Sequence, residues 1–153
     1  MPETKCGFND IPDFTGADLL VSYGPTLKVD IGFDPNYNPQ KLNILPTLSV
    51  KGINALVDTG AGESCIDNLL ASQLNLPIID RRPVSGAHGS HLSNMYLAQI
   101  HVPSLKFTIY GAFAGVDLLA GGQVHKALIG RTFLRCFKMI YDGRNGTVTL
   151  SSD

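Results

Sequence analysis

Glutamate occurs only twice in the 153 residues, against 11 aspartates, and charged residues make up just 16% of the chain. With 16 glycines and 9 prolines, the composition is short of helix-interior formers and rich in turn formers. It excludes a coiled coil or a disordered chain, because 44% hydrophobic residues at this length is enough to bury a core in one domain. Neither sign of charge is in surplus: 12 Lys and Arg face 13 Asp and Glu, a formal net charge of -1. No basic field is available to gather nucleic acid or an anionic membrane, and neither is expected as a partner. The three cysteines, Cys6, Cys65 and Cys136, are an odd number without short spacing. They supply neither a disulfide framework nor a tetrahedral zinc site and fit a reducing compartment. No apolar run approaches the roughly 20 residues of a bilayer span, and Met1 to Leu20 lacks a basic start followed by an apolar stretch. A soluble, cytoplasmic protein without membrane insertion is the resulting expectation.

What is present reads mainly as strands. Residues 1–20 mix Pro, Gly and acids without a period and are expected to form a flexible arm ahead of a domain over 21–153. LLVSYGPTLKVDIGF and LNILPTLSV read as two strands around the irregular DPNYNPQ connection. Ile53 to Val57 is a short apolar run between Gly52 and Asp58, the pattern of a buried strand ending in a tight turn. Asp67 is placed to cap a short helix through NLLASQLN, which Pro77 stops. In RRPVSGAHGSHLSNMY, Gly86 and Gly89 form a polar bend between strand-like flanks, a hairpin with a mobile tip. Tyr96, Ala98, Ile100 and Val102 share one face of a strand, and Leu105, Phe107 and Ile109 alternate again beyond Pro103. ALIGRTFLRCF runs from an apolar strand into a short helix, and MIYDGRNGTVTL closes as a hairpin.

The chemistry centres on Asp58-Thr59-Gly60. Multiplying residue frequencies gives a chance expectation of roughly 0.07 for this tripeptide, so its context must carry the argument. An acid at the end of a buried strand is rigidly held, a neighbouring hydroxyl can lock the turn, and Gly60 lets a ligand or another chain approach the backbone. On these residues alone, an Asx turn in which Asp58 merely bonds nearby backbone fits equally well. The second feature, Ala127-Leu128-Ile129-Gly130-Arg131, again cuts an apolar strand with glycine before a helix; Gly130 lies 130 − 58 = 72 residues beyond Asp58. Other chemistries fit less well. Ser64 and Ser85 lack the glycines of a nucleophile elbow, and Cys65 reads as a buried thiol behind the loop. Gly60-Ala61-Gly62 lacks the third glycine of a dinucleotide site, Phe137 and Tyr141 alternate as packing residues, and His88 with His91 has no further ligands for a metal.

Taken together, ALVDTGAG, ALIGRTFL, the glycine-containing hairpin between them and the closing hairpin resemble the retropepsins, the retroviral-type aspartic peptidases and their cellular and bacterial relatives. The similarity runs from about Leu20 to the C-terminus, anchored at 55–61, 84–90 and 127–134. It implies an all-β, single-lobe closed barrel with one or two short helices, active as a twofold homodimer that hydrolyses peptide or protein substrates. It also implies that no metal or organic cofactor is needed. Asp58 would be catalytic, with Thr59, Gly60 and Ala61 forming the active-site loop. Thr59 would bond across the dimer axis, and Gly60 would admit substrate backbone. Ser85, Gly86, Ala87, His88 and Gly89 correspond to the flap. His88 stands where the family has a small or aliphatic residue and reads as an exposed loop histidine. Gly130 and Arg131 would be structural, but Gly62 occupies the place of the acid that many retroviral members carry, with Glu63 next, leaving the partner of Arg131 open. The arm and Thr147 to Leu150 correspond to interface strands. One Asp58 in a chain about half the size of a two-lobed peptidase agrees with a site assembled from two copies. The competing class is a noncatalytic dimerisation or peptide-binding module of the same fold, against which the intact Asp58-Thr59-Gly60 favours the enzyme.

Overall fold

A computed structural model describes residues 2–41, 43–86 and 89–152. In chain order its elements are β1 (Glu3–Lys5), α1 (Gly16–Tyr23), β2 (Thr26–Gly32), β3 (Val50–Val57), β4 (Cys65–Asp67), α2 (Asn68–Gln73), β5 (Ile78–Gly86) and β6 (Gly89–Val102). A 3-10 turn at Pro103–Leu105 leads into β7 (Phe107–Val116), β8 (Ala127–Ile129), α3 (Arg131–Leu134), β9 (Lys138–Asp142) and β10 (Thr147–Ser151).

The strands run in the order β2-β3-β8-β4-β7-β6, and β6 pairs back with β2, closing the ring. This is the expected closed barrel, and its cause is alternation. Leu27, Val29 and Ile31 on β2, Ala55 and Val57 on β3, and Ala127 and Ile129 on β8 are all buried at period two. On β6, Tyr96, Ala98, Ile100 and Val102 are buried on the face the sequence pattern assigns to the core. Burying each large aliphatic side chain is worth about 1.5–3 kcal/mol, so the ring is held chiefly by this shared interior. Among the described residues strand β5 is hydrogen-bonded in the sheet only to β6 and projects beyond the ring as a hairpin arm.

Two stretches depart from the expected strands. LLVSY belongs to α1: the Thr15 hydroxyl accepts from the Asp18 N–H at 3.1 Å, and Gly24, at φ 70°, ends the helix. Five apolar or small residues cannot by themselves distinguish a helix from a strand. Residues 43–49 form no strand; Pro46 lacks an amide donor, and the Asp34 carboxylate instead holds the loop through the N–H groups of Asn36 and Thr47. Helix α1 makes three short helices where one or two were expected.

Residues 2–20 pack on the rest of the chain through β1, Cys6 and Leu20. Strand β1 pairs antiparallel with β10, Cys6 and Leu20 lie in the main core, and the Thr26 N–H donates to the Cys6 carbonyl at 2.8 Å. The division expected at residue 20 therefore falls inside α1. Both edges of β10 are filled, by β1 and β9, so the outer edges of that three-stranded sheet belong to β1 and β9. A second, smaller apolar cluster of Cys65, Met95 and Ala114, with Val84, Val116 and Leu128 against it, sits apart from the main core.

Ile100→Ala should destabilise the fold by about 2–5 kcal/mol in denaturant titration, since the ring cannot collapse onto the cavity left behind. Ile140→Ala, at a side chain 55% exposed, should cost no more than about 0.5 kcal/mol. Equal losses would contradict this placement of the core.

Candidate active site

Asp58 is the first residue beyond β3, and its N–H donates to the Ile129 carbonyl at 2.9 Å, extending the parallel β3–β8 pairing by one rung. Its Oδ1 accepts the Gly60 N–H at 2.8 Å and its carbonyl accepts the Ala61 N–H at 3.2 Å. The Asx-type bond is thus present, and it leaves Oδ2 without a protein partner among the described residues. One carboxylate oxygen is anchored by backbone while the other has no hydrogen-bond partner among the described residues.

A second loop is laced to the first. The Arg131 N–H donates to the Ala61 carbonyl at 2.8 Å and the Thr132 N–H to the Gly62 carbonyl at 3.0 Å. The Gly130 N–H donates to the buried Ser64 hydroxyl at 3.0 Å. A Cβ at Gly130 would lie 2.6 Å from the Glu63 carbonyl oxygen, so only glycine allows the two backbones to approach this closely. Arg131 Nη1 donates to the Thr59 carbonyl at 2.7 Å. With Gly62 in place of an acid, the guanidinium braces the loop through backbone, and no acid pairs with it among the described residues. Asp58, Thr59, Gly60, Ala61, Gly130 and Arg131 are therefore brought into one unit.

Of the hairpin residues, Ser85 pairs with Ser90 and Gly86 with Gly89, which has φ 101°. Ala87 and His88 lie outside the described residues. At the hairpin base a polar chain escaped sequence reasoning. Arg81 Nε donates to Asn94 Oδ1 (3.1 Å), Asn94 Nδ2 to the Tyr96 hydroxyl (3.3 Å), that hydroxyl to Asn68 Oδ1 (3.0 Å), and Asn68 Nδ2 to Asp117 Oδ1 (2.8 Å). Nothing in the linear order marks these residues as neighbours.

Between the Asp58 loop and the hairpin lies a cleft of about 690 Å³. Its walls include Asp58, Glu63, Cys65, Val84, Ala114 and Leu128, so the small apolar cluster forms part of its surface. Glu63 and Arg82, which also line it, were not foreseen as wall residues. Arg82 Nε lies 3.0 Å from Asp80 Oδ2, and this contact lowers the Asp80 carboxyl below its ordinary range. Burial, reinforced by the charges of Asp58 and Glu63, pushes the Cys65 thiol up to about 11. It stays protonated near neutrality and makes a poor nucleophile. Burial pushes Cys6 up to about 11 as well. His125 is buried with Nε2 2.8 Å from the Thr26 hydroxyl and Nδ1 unpartnered, and burial lowers its pKa. Among the described residues no three His, Cys, Asp or Glu side chains are grouped to hold a metal, and no helix is long and apolar enough to cross a membrane.

A closed single-lobe barrel, with an Asp-Thr-Gly turn laced to a Gly-Arg turn under a projecting hairpin, has the retropepsin-like aspartic protease fold. The crystal structure of a retropepsin-like aspartic protease from Rickettsia conorii is similar to this chain with a TM-score of 0.50 and 15% sequence identity, covering 97% of this chain and 89% of that one. At that identity the likeness establishes the fold. No protein-family model and no curated protein matches the sequence.

The thiols provide a check on this geometry. At pH 8 a thiol reagent should label exposed Cys136 rapidly and leave Cys6 and Cys65 unmodified until the protein unfolds. Because both buried thiols hold their protons above the ordinary value of 9.0, their contribution to stability is complete below pH 9 and is lost as pH rises through about 11. Three fast-reacting thiols in the folded protein would contradict the burial.

Proposed function

We propose that the chain is an aspartic endopeptidase whose active site is assembled from two copies, each contributing Asp58. The observation that carries this reading is the position of Asp58. It is fixed by backbone at the end of β3, with one oxygen anchored by Gly60 and the other unpartnered among the described residues, at the wall of a cleft bordered by the hairpin. A lone carboxylate of this kind can accept a proton but cannot also donate one in the same step. A twofold axis beside the loop supplies the second carboxylate, and two such groups about 3 Å apart share one proton.

In the proposed reaction, the ionised Asp58 takes a proton from a water held between the carboxylates as its oxygen attacks the peptide carbonyl carbon. The protonated Asp58 gives its proton to the carbonyl oxygen. The resulting gem-diol collapses as one of its hydroxyls returns a proton to the ionised Asp58, the C–N bond breaks, and the leaving nitrogen takes the proton held by the other Asp58, so the dyad again shares one proton. Thr59 would brace the two loops across the axis, and Arg131, bonded to the Thr59 carbonyl, would keep that residue in place. The hairpin containing Ser85 to Gly89 would close over the peptide and exclude water. Contact between copies would use the open edges of β1 or β9, because β10 has none.

Asp58→Asn should reduce cleavage of a peptide library by about 10³-fold or more while leaving the melting temperature within a few degrees of wild type. Cleavage at the wild-type rate by a folded Asp58→Asn protein would overturn the proposal. Activity per chain should also fall on dilution below the dimer dissociation constant. A flat profile through a measured monomer transition would count against a shared site.

A further inference from the structure

One buried ring takes no part in the reaction proposed above. His125, only 3% exposed, lies two residues ahead of β8, and its Nε2 is 2.8 Å from the Thr26 hydroxyl oxygen. That hydroxyl has a single proton and donates it to the Gly24 carbonyl at 3.1 Å. Both contacts are satisfied together only when Nε2 carries the ring proton and donates to Thr26, which leaves Nδ1 a bare lone pair. Nδ1 is buried and has no partner among the described residues. A second proton can be added only there, where the new N–H meets no acceptor and the new charge no counter-ion among the described residues.

The ionisable groups nearest along the elements that meet there are Tyr23 of α1, Lys28 of β2, Lys51 and Asp58 towards the two ends of β3, Asp67 of β4 and Lys126 beside the ring. None bonds to it among the described residues. The Asp67 carboxylate takes the N–H groups of Leu70, Leu118 and Leu119, Asp58 takes that of Gly60, and Lys28 donates to Asn54. Burial, with no contribution from a neighbouring charge, holds the pKa of His125 below the ordinary 6.5. The location of the bond gives this a structural consequence. Thr26 opens β2 and His125 leads into β8, the two strands that flank β3. The Pro25 carbonyl accepts the Val57 N–H at 2.8 Å, one residue ahead of Asp58. The same turn ends α1, through the Gly24 N–H on the Leu20 carbonyl, and holds the segment after β1, through the Thr26 N–H on the Cys6 carbonyl. From this hydrogen-bond count and position we propose that His125 is an acid-operated latch. The neutral ring ties the α1–β2 turn to the approach to β8; the protonated ring lets that turn open and loosens the N-terminal segment against the strand that leads to Asp58. Because the folded ring takes up a proton less readily than the unfolded chain, the stability it gives is complete above pH 6.5 and is lost as pH falls below that value.

The latch does not depend on the peptidase reading, and its test measures no cleavage. Hydrogen exchange of the full chain is followed by peptide at about pH 7.5 and about pH 5.5, corrected for the intrinsic pH dependence of exchange. On acidification, peptides covering residues 20–27 and 123–127 should lose about tenfold in protection relative to those of β6 and β7, the factor for leaving one buried donor unpaired. His125→Gln keeps an N–H for the Thr26 hydroxyl but takes up no proton, so its protection in these peptides should not change with pH relative to β6 and β7. Thr26→Val removes the hydroxyl and should show the lower protection at both pH values, which keeps the latch testable where a melting curve shows His125→Gln unfolded. No loss on acidification, a loss shared equally by β6 and β7, a loss that persists in His125→Gln, or wild-type behaviour in Thr26→Val would each overturn the proposal.

Discussion

The site depends on one close approach of two backbones. The turn after β3 and the turn after β8 lie against each other because Gly130 has no side chain, and the gap it leaves is filled by the carbonyl of Glu63. Around that contact, amide groups of Asp58, Gly130, Arg131 and Thr132 all find acceptors on the opposing turn or strand. Unpaired buried amides cost about 1–3 kcal/mol each, so the two turns are stable as a pair and expensive to separate. Asp58 inherits its rigidity from this arrangement. The Asp58 carboxylate owes its fixed position almost entirely to backbone hydrogen bonds.

The barrel and the projecting hairpin are held together differently. The ring strands share one apolar interior, whereas β5, among the described residues, is hydrogen-bonded in the sheet to β6 alone and is otherwise held by Val84 against the small apolar cluster and by the polar chain from Arg81 to Asp117. Elements with few buried contacts open most easily, so the hairpin is the part of this fold that local opening would reach first. The small cluster of Cys65, Met95 and Ala114 lies between these regimes, buried enough to shape a cleft yet separate from the main core.

Much of this was legible in the sequence wherever the signal is local. The Ile53 to Val57 run, the alternation from Tyr96 to Val102, the Asp67 cap, which accepts the Leu70 N–H at 3.1 Å, and the paired glycine turns all follow from periodicity and turn chemistry. The misread segments have equally local reasons. LLVSY is too short for its period to be decisive, and the apolar residues Ile44 and Leu45 remain exposed in a loop held by Asp34. What could not be read were relations between distant residues. The partner of Arg131 is a carbonyl rather than an acid, Tyr96 meets Asn68 across 28 positions, and Arg82 pairs with Asp80 on its own strand. Nor does a linear pattern reveal that the residues expected to form an arm complete a sheet with β10 within the same chain.

The central claim is that each reaction centre needs Asp58 from two chains. It is tested most directly by mixing wild type with Asp58→Asn protein, allowing subunits to exchange, and measuring cleavage per total chain. If both carboxylates are required, activity follows the square of the wild-type fraction and an equal mixture retains about a quarter. A mixture that retains about half, falling in simple proportion to the wild-type chain, would show that one Asp58 suffices and would contradict the shared site.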